Sequence, residues 1–151
     1  MFLGKKYSIL IIIGIIIDQT TKVLANTFLK DKVLVIFDPF LSLPLVHNYG
    51  AAYGILQNQR WLLLFIGFSV LIFCIIFHKK LAYTTLSKYG LSFLLIGTAG
   101  NLIDRFFRGY VIDFINIRIF PVFNFADVAI DIGIFLFILD LFLSSSNAEN
   151  K

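Results

Sequence analysis

Apolar residues dominate four long stretches of the chain, and polar residues gather between them. The stretches run from about Tyr7 to Leu29, Trp61 to Phe77, Tyr89 to Phe107 and Phe125 to Leu143. A helix needs about 20 apolar residues to cross the hydrocarbon of a bilayer. The pattern therefore predicts an all-α membrane fold, a four-helix bundle running up, down, up and down. Gly90, Ser92, Gly97, Thr98 and Gly100 make the third stretch rich in small residues, which let a neighbouring helix approach closely. Between the first two stretches, Val33–Phe37 and Leu41–His47 read as short strands joined at Asp38-Pro39, with Pro44 marking an edge. They predict a small β-sheet resting on the membrane surface. His78–Lys88 is a short basic loop, Arg108–Asn124 an aromatic-rich one, and Ser144–Lys151 a polar tail expected to be disordered. Nothing divides the chain, so residues 1–151 form a single domain.

In such a bundle the polar residues fall on one side of the membrane. Lys22 and Asn26 end the first span; Asn48, Gly50 and Gln57 lie in the first loop; Asn101, Asp104 and Arg105 end the third span. Asp113 lies in the third loop, and Asn124 and Asp127 begin the fourth span. The opposite side receives Lys5, Lys6, the His78–Lys88 loop and the tail. One polar site on one face follows from spacing alone. Lysines and arginines tie between the two sides, so their distribution leaves the orientation open.

Composition agrees with a membrane protein. The chain is 59% hydrophobic, against about 45–50% in soluble domains. Its formal charge of +4 is scattered, without the basic, aromatic-interleaved block of a nucleic-acid binder. Cys74 is the one cysteine and His47 and His78 the two histidines, so no zinc-type cluster exists and neither metal nor cofactor is expected. Lys5 and Lys6 before an apolar run imitate a signal peptide, but Asp18-Gln19-Thr20-Thr21-Lys22 follows instead of a small-residue cleavage site.

Ionisable groups near hydrocarbon require a partner or a function. Asp18 and Lys22 are four apart on one helix face, an ion pair that either makes burial tolerable or positions a substrate. In Val46-His47-Asn48-Tyr49-Gly50-Ala51-Ala52-Tyr53-Gly54-Ile55, the small residues allow a neighbour or an extended peptide to come close or simply form a tight turn. Asn48 can both donate and accept there. In Gly100-Asn101-Leu102-Ile103-Asp104-Arg105, the acid and base can make charge-assisted bonds that tie the end of the third span to its neighbours.

Asp113 and Asp127 are the candidates for chemistry. Two carboxyl groups in close contact cannot both ionise easily, so one keeps a proton while the other acts as a base. Such a pair can activate water and protonate a leaving amide nitrogen, as in aspartic proteases. Independent caps on two loops are the alternative, since Asp127 at a helix start is well placed for the helix dipole. Asp131, one turn beyond Asp127, is a rival or a polar neighbour. Asp140 is too far along the helix to join Asp127, and is left to snorkel or to pair with Lys88.

The ordered set Asp18-x-x-x-Lys22, Asn48-x-Gly50-Ala51-Ala52-Tyr53-Gly54, Gly100-Asn101-Leu102-Ile103-Asp104-Arg105, Val111-Ile112-Asp113-Phe114 and Phe123-Asn124-Phe125-Ala126-Asp127 resembles the bacterial lipoprotein signal peptidases, signal peptidase II. The resemblance covers nearly the whole chain. It implies a four-span aspartic endopeptidase of the bacterial inner membrane, with a small extracytoplasmic sheet and a short helical loop closing over substrate. It implies that Asp113 and Asp127 are catalytic, supported by Asp18, Lys22, Asn48, Gly50, Asn101, Asp104, Arg105, Asn124 and Ala126. It further implies cytoplasmic termini, an extracytoplasmic site, and precursors cut just before a diacylglyceryl-modified cysteine. The expected partners are these prolipoproteins and membrane lipids, with the enzyme a monomer. Tyr53, where the family often has Phe or Trp, and the additional Asp131 are small departures. A proton channel would need acids at several depths, and an assembly subunit would not need a carboxylate pair with its own supports.

Overall fold

A computed structural model describes residues 3–149, with side chains described through residue 145. Helix α1 spans Lys5–Phe28, α2 Arg60–Leu81, α3 Thr85–Phe107 and α4 Phe125–Glu149. Four short strands lie between them: β1 (Leu34–Phe37), β2 (Leu41–Leu43), β3 (Val46–Asn48) and β4 (Val111–Asp113).

Helix α3 is the axis of the bundle, packing against α1, α2 and α4. It starts in a capping box, in which the Thr84 hydroxyl accepts from the Ser87 N–H at 2.9 Å and the Ser87 hydroxyl accepts from the Thr84 N–H at 3.0 Å. The reciprocal bonds satisfy donors that the first turn leaves free. It stops at Gly109, whose φ of +87° suits a residue without a Cβ and whose N–H bonds the Asp104 carbonyl at 3.2 Å. Small residues bring α4 close, as expected. Gly90 lies against the Gly133 backbone, and a methyl at Gly100 would strike the Asp18 carboxylate and stand 3.2 Å from Ala126 Cβ.

Among the described residues, three helices are long and apolar enough to cross a membrane: Lys5–Phe28, Arg60–Leu81 and Phe125–Ser145. Their outward faces are greasy. Phe65, Ile76, Phe135 and Leu141 are all exposed. Helix α3, expected as a fourth span, is not among those three helices; it is covered by its neighbours, so Asn101, Asp104 and Arg105 lie inside the bundle. Helix α4 continues to Glu149, where a disordered tail was expected after Leu143. Extending an existing helix costs little per residue, because nucleation has already occurred. Residues 150 and 151 of that tail lie outside the described residues.

The expected single sheet is two antiparallel pairs. Strand β1 pairs with β2, and β3 pairs with β4, with Val46 opposite Asp113 and Asn48 opposite Val111. The expected strand Leu41–His47 splits at Pro44-Leu45, since proline lacks the N–H that a continuous ladder needs. The loop read as aromatic-rich contains β4. It then doubles back through paired backbone bonds between Ile115 and Phe123, at 2.8 and 3.0 Å. That return brings the end of β4 to the start of α4. Ile112, buried with Ala25 and Leu29, seats the β3–β4 pair on the end of α1.

Candidate active site

Helix α1 contributes the innermost layer. Lys22 is fully buried and its ammonium meets Asp18 Oδ2 at 3.0 Å, the pair predicted from i,i+4 spacing. It also meets Asp104 Oδ2 at 3.1 Å and donates to Asn101 Oδ1 at 3.0 Å. One cation thus joins two helices and leaves Asn101 with its amide N–H groups free for a further acceptor. That acceptor is Asp127, whose Oδ1 takes a 2.8 Å bond from Asn101 Nδ2.

Asn124 occupies the turn before α4 and makes the decisive connections. Its N–H donates to Asp127 Oδ2 at 3.1 Å, and its Oδ1 accepts from the Asp127 N–H at 3.1 Å. This is the reciprocal geometry of a capped helix start. Its remaining donor, Nδ2, reaches Asp113 Oδ1 at 2.6 Å and Asn101 Oδ1 at 3.3 Å. Asp113 is held from the other side by Asn48 Nδ2, at 2.9 Å to Oδ2, because β3 and β4 are paired. Asn48 Oδ1 in turn accepts from the Gly50 N–H at 2.9 Å, and the Gly50 carbonyl accepts from Arg105 Nη2 at 2.7 Å. Ala126 is completely buried behind Asp127.

Asp113 and Asp127 therefore sit in a frame of neutral amide donors. Neutral donors fix orientation without the full charge compensation that a contacting lysine or arginine would bring. Burial pushes the Asp113 carboxyl up to about 6; the Asn124 bond opposes this, the Asp127 charge adds to it, and the Asn48 bond and Lys22 charge oppose it. Both carboxyl groups line one cavity of about 790 Å³, together with Asn48, Asn101 and Arg105. Among the described residues, Arg105 Nε has no hydrogen-bond partner there, and it is buried. Asp131 lines the same cavity from an exposed position one turn along α4.

All eleven residues expected at the site lie in or around this frame, but some contacts differ from expectation. Asp104 does not pair with its neighbour Arg105. Adjacent helical residues point in different directions, so Asp104 turns to Lys22 and to Arg108, one turn along, and also accepts from the Ile112 N–H at 3.1 Å. Arg105 turns instead to the Gly50 loop. Asp140 accepts from Thr84 Oγ1 at 2.7 Å rather than pairing with Lys88.

Three supports escaped the sequence reading. Gln19 Nε2 donates to Asp18 Oδ2 at 3.0 Å and to the Gly100 carbonyl at 3.2 Å, and its Oε1 accepts from Arg108 at 3.2 Å. Arg60 clamps the end of α3 through the Arg105 and Phe106 carbonyls, at 2.8 and 2.6 Å. Arg108 had a detectable signal, its four-residue spacing from Asp104. Gln19 had a weaker one, its polarity inside an apolar span.

The family model for signal peptidase (SPase) II matches residues 10–143. The lipoprotein signal peptidase of Caldicellulosiruptor bescii is 37% identical, over 86% of each chain. That of Staphylococcus aureus is 37% identical over 97% of each. A bacterial membrane enzyme solved by the in meso method at 2.3 Å resolution superimposes with a TM-score of 0.90 and 34% identity, covering 97% of this chain and 93% of the other. With the match running from the first helix into the last, the chain belongs to the signal peptidase II family.

Proposed function

We propose that this protein is a membrane aspartic endopeptidase that removes signal peptides from diacylglyceryl-modified prolipoproteins. Family membership supports the removal of signal peptides from prolipoproteins. The observation that carries the aspartic mechanism is the shared cavity, with Asp113 and Asp127 tied together through Asn124. Asp113, whose carboxyl is pushed up to about 6, holds the proton, and Asp127 is the base. Asp127 takes a proton from a water as its oxygen attacks the carbonyl carbon before the modified cysteine. Asp113 donates its proton to the carbonyl oxygen, giving a neutral gem-diol. Asp127 then passes its proton to the amide nitrogen, Asp113 recovers one from a hydroxyl, and the C–N bond breaks to release the cysteine amine. Acid and base exchange roles without a metal.

Asn48, Asn101 and Asn124 aim the carboxyl groups. Lys22, Asp18 and Asp104 anchor Asn101 and the end of α3. Arg105 lines the cavity, held by the Gly50 carbonyl, while Ala126 lets α4 pack on Gly97 and Gly100, and Arg105 Nε is a spare donor for a substrate carbonyl. In this reading α3 is the fourth span, tolerated because its neighbours cover it. The site faces the extracytoplasmic leaflet of the bacterial inner membrane, both termini are cytoplasmic, and the enzyme acts as a monomer. Acyl chains entering sideways from the bilayer would hold the scissile bond at the depth of the aspartates, an orientation effect.

The test is cleavage of matched precursors by the purified enzyme with EDTA present. The lipidated precursor should yield a product beginning at the modified cysteine, and the unmodified one should be cut far more slowly. Equal rates on both, or activity that zinc restores after EDTA, would overturn the reading.

A further inference from the structure

A second cavity, of about 550 Å³, lies at the end of the bundle away from the aspartates. Ser69, Val70, Phe73, Cys74 and Leu81 of α2 form one wall, and Leu94 of α3 and Phe137 of α4 the other; the Ser69 hydroxyl is turned back to the Phe65 carbonyl at 2.8 Å. Val70, Phe73 and Cys74 share one helix face, and Leu81, two turns beyond Cys74, continues the same face. The opposite end of α2 is fixed beside the aspartate site by Arg60. The groove therefore belongs to the other half of the membrane, and hydrocarbon is the medium that meets it.

The groove leads to a cation. Phe73 packs on Phe77 with ring centroids 4.8 Å apart, and the Lys80 ammonium stands over the Phe77 ring at 5.9 Å. An apolar track thus runs from the groove wall, through Phe77, to a positive charge. Lys79 beside it is exposed as well. No acidic residue occurs between Pro39 and Ile103, so α2, the loop after it and most of α3 add no opposing charge. Among the described side chains, Asp140 is the acid nearest this end through its bond to Thr84, and it is buried; Glu149 ends α4 on the same side of the bundle. An apolar slot with two exposed lysines at the end of its helical wall is complementary to one amphiphile, an acyl chain carrying an anionic headgroup.

We propose that this groove is a binding site for an anionic phospholipid of the leaflet opposite the aspartate site. One acyl chain lies along Phe77 and Phe73 into the slot, and the phosphate is held by Lys80 with Lys79. This site is separate from the cavity that holds the aspartates and does not depend on the peptidase mechanism.

The test uses the full chain carrying Trp61→Phe and Phe73→Trp, so that the single tryptophan stands in the groove wall. Both positions are exposed. Quenching is titrated in detergent micelles with dibrominated phosphatidylglycerol or dibrominated phosphatidylcholine. A charge near a membrane surface is worth about fivefold in affinity. Phosphatidylglycerol should therefore quench at a concentration at least about fivefold lower than phosphatidylcholine, less so at high salt. Lys79→Gln/Lys80→Gln should bring the two lipids to parity, and Lys79→Arg/Lys80→Arg should keep the preference. Equal quenching by both lipids would mean ordinary boundary lipid and overturn the proposal. So would a preference surviving Lys79→Gln/Lys80→Gln. A tryptophan that neither lipid quenches would mean that protein covers the groove, which also overturns it.

Discussion

Asn124 donates its side-chain amide to Asp113 at 2.6 Å while its backbone and side-chain oxygen hold Asp127. One residue thus fixes the relative position of two carboxyl groups that approach from different elements. Asn124→Ala should lower kcat about 100-fold, the scale of a small misplacement of reacting groups. It should cost only about 1 kcal/mol of stability as a lost helix cap. Single-turnover cleavage of a lipidated precursor beside a melting curve measures both, and an unchanged kcat would contradict the positioning role.

Asp113→Asn and Asp127→Asn should each abolish cleavage while leaving the protein folded in detergent. Asp131→Asn should remain active, because Asp131 lines the cavity without joining the amide frame. The reverse pattern, a dead Asp131→Asn and a working Asp127→Asn, would show that the pair is wrongly assigned.

The pair should titrate together, in a bell-shaped profile of kcat/KM. Its last proton, held by Asp113, should be lost with an apparent value of about 6. Activity should fall as pH rises through that range. The Asn48 bond favours the ionised form of Asp113, so Asn48→Ala should move the alkaline limb upward. A limb that moves downward would be incompatible with that bond.

The raised Asp113 pKa has a stability consequence of definite sign. It is higher in the folded chain than in the unfolded one, so protonation favours folding. This contribution is complete below about pH 4 and disappears as pH rises through about 6. It amounts to roughly 3 kcal/mol, since each tenfold change in proton affinity corresponds to about 1.4 kcal/mol. The melting temperature of the parent minus that of Asp113→Asn should decline across this window and level off above it. A difference that grows with pH would refute the assignment.

Lys22→Met should destabilise the bundle by about 3–5 kcal/mol, because Asp18 and Asp104 would be left buried without their cation. Activity should fall too, through the loss of the Lys22 bond that holds Asn101. A Lys22→Met variant with a normal melting temperature would mean that the charge network adds nothing to folding.

What the chain determines locally could be read from it directly. The helices follow from apolar runs, and the Asp18–Lys22 pair from helical periodicity, since residues four apart always share a face. The candidate carboxylates stand out because charge beside hydrocarbon demands a reason. Partners remote in sequence depend on which elements pack together, and no local pattern encodes that. Asp104 had Arg105 beside it, yet helix geometry sends it to Lys22, Arg108 and Ile112. Asn48 meets Asp113 across 65 residues only because a three-residue strand, too short to show alternation, pairs with β3. Asp113 and Asp127 share a cavity only because the loop between them folds back through Ile115 and Phe123. The candidate residues of the site, Gln19, Arg60 and Arg108 excepted, were therefore visible in the sequence, while their assembly was decided by long-range backbone pairing and helix packing.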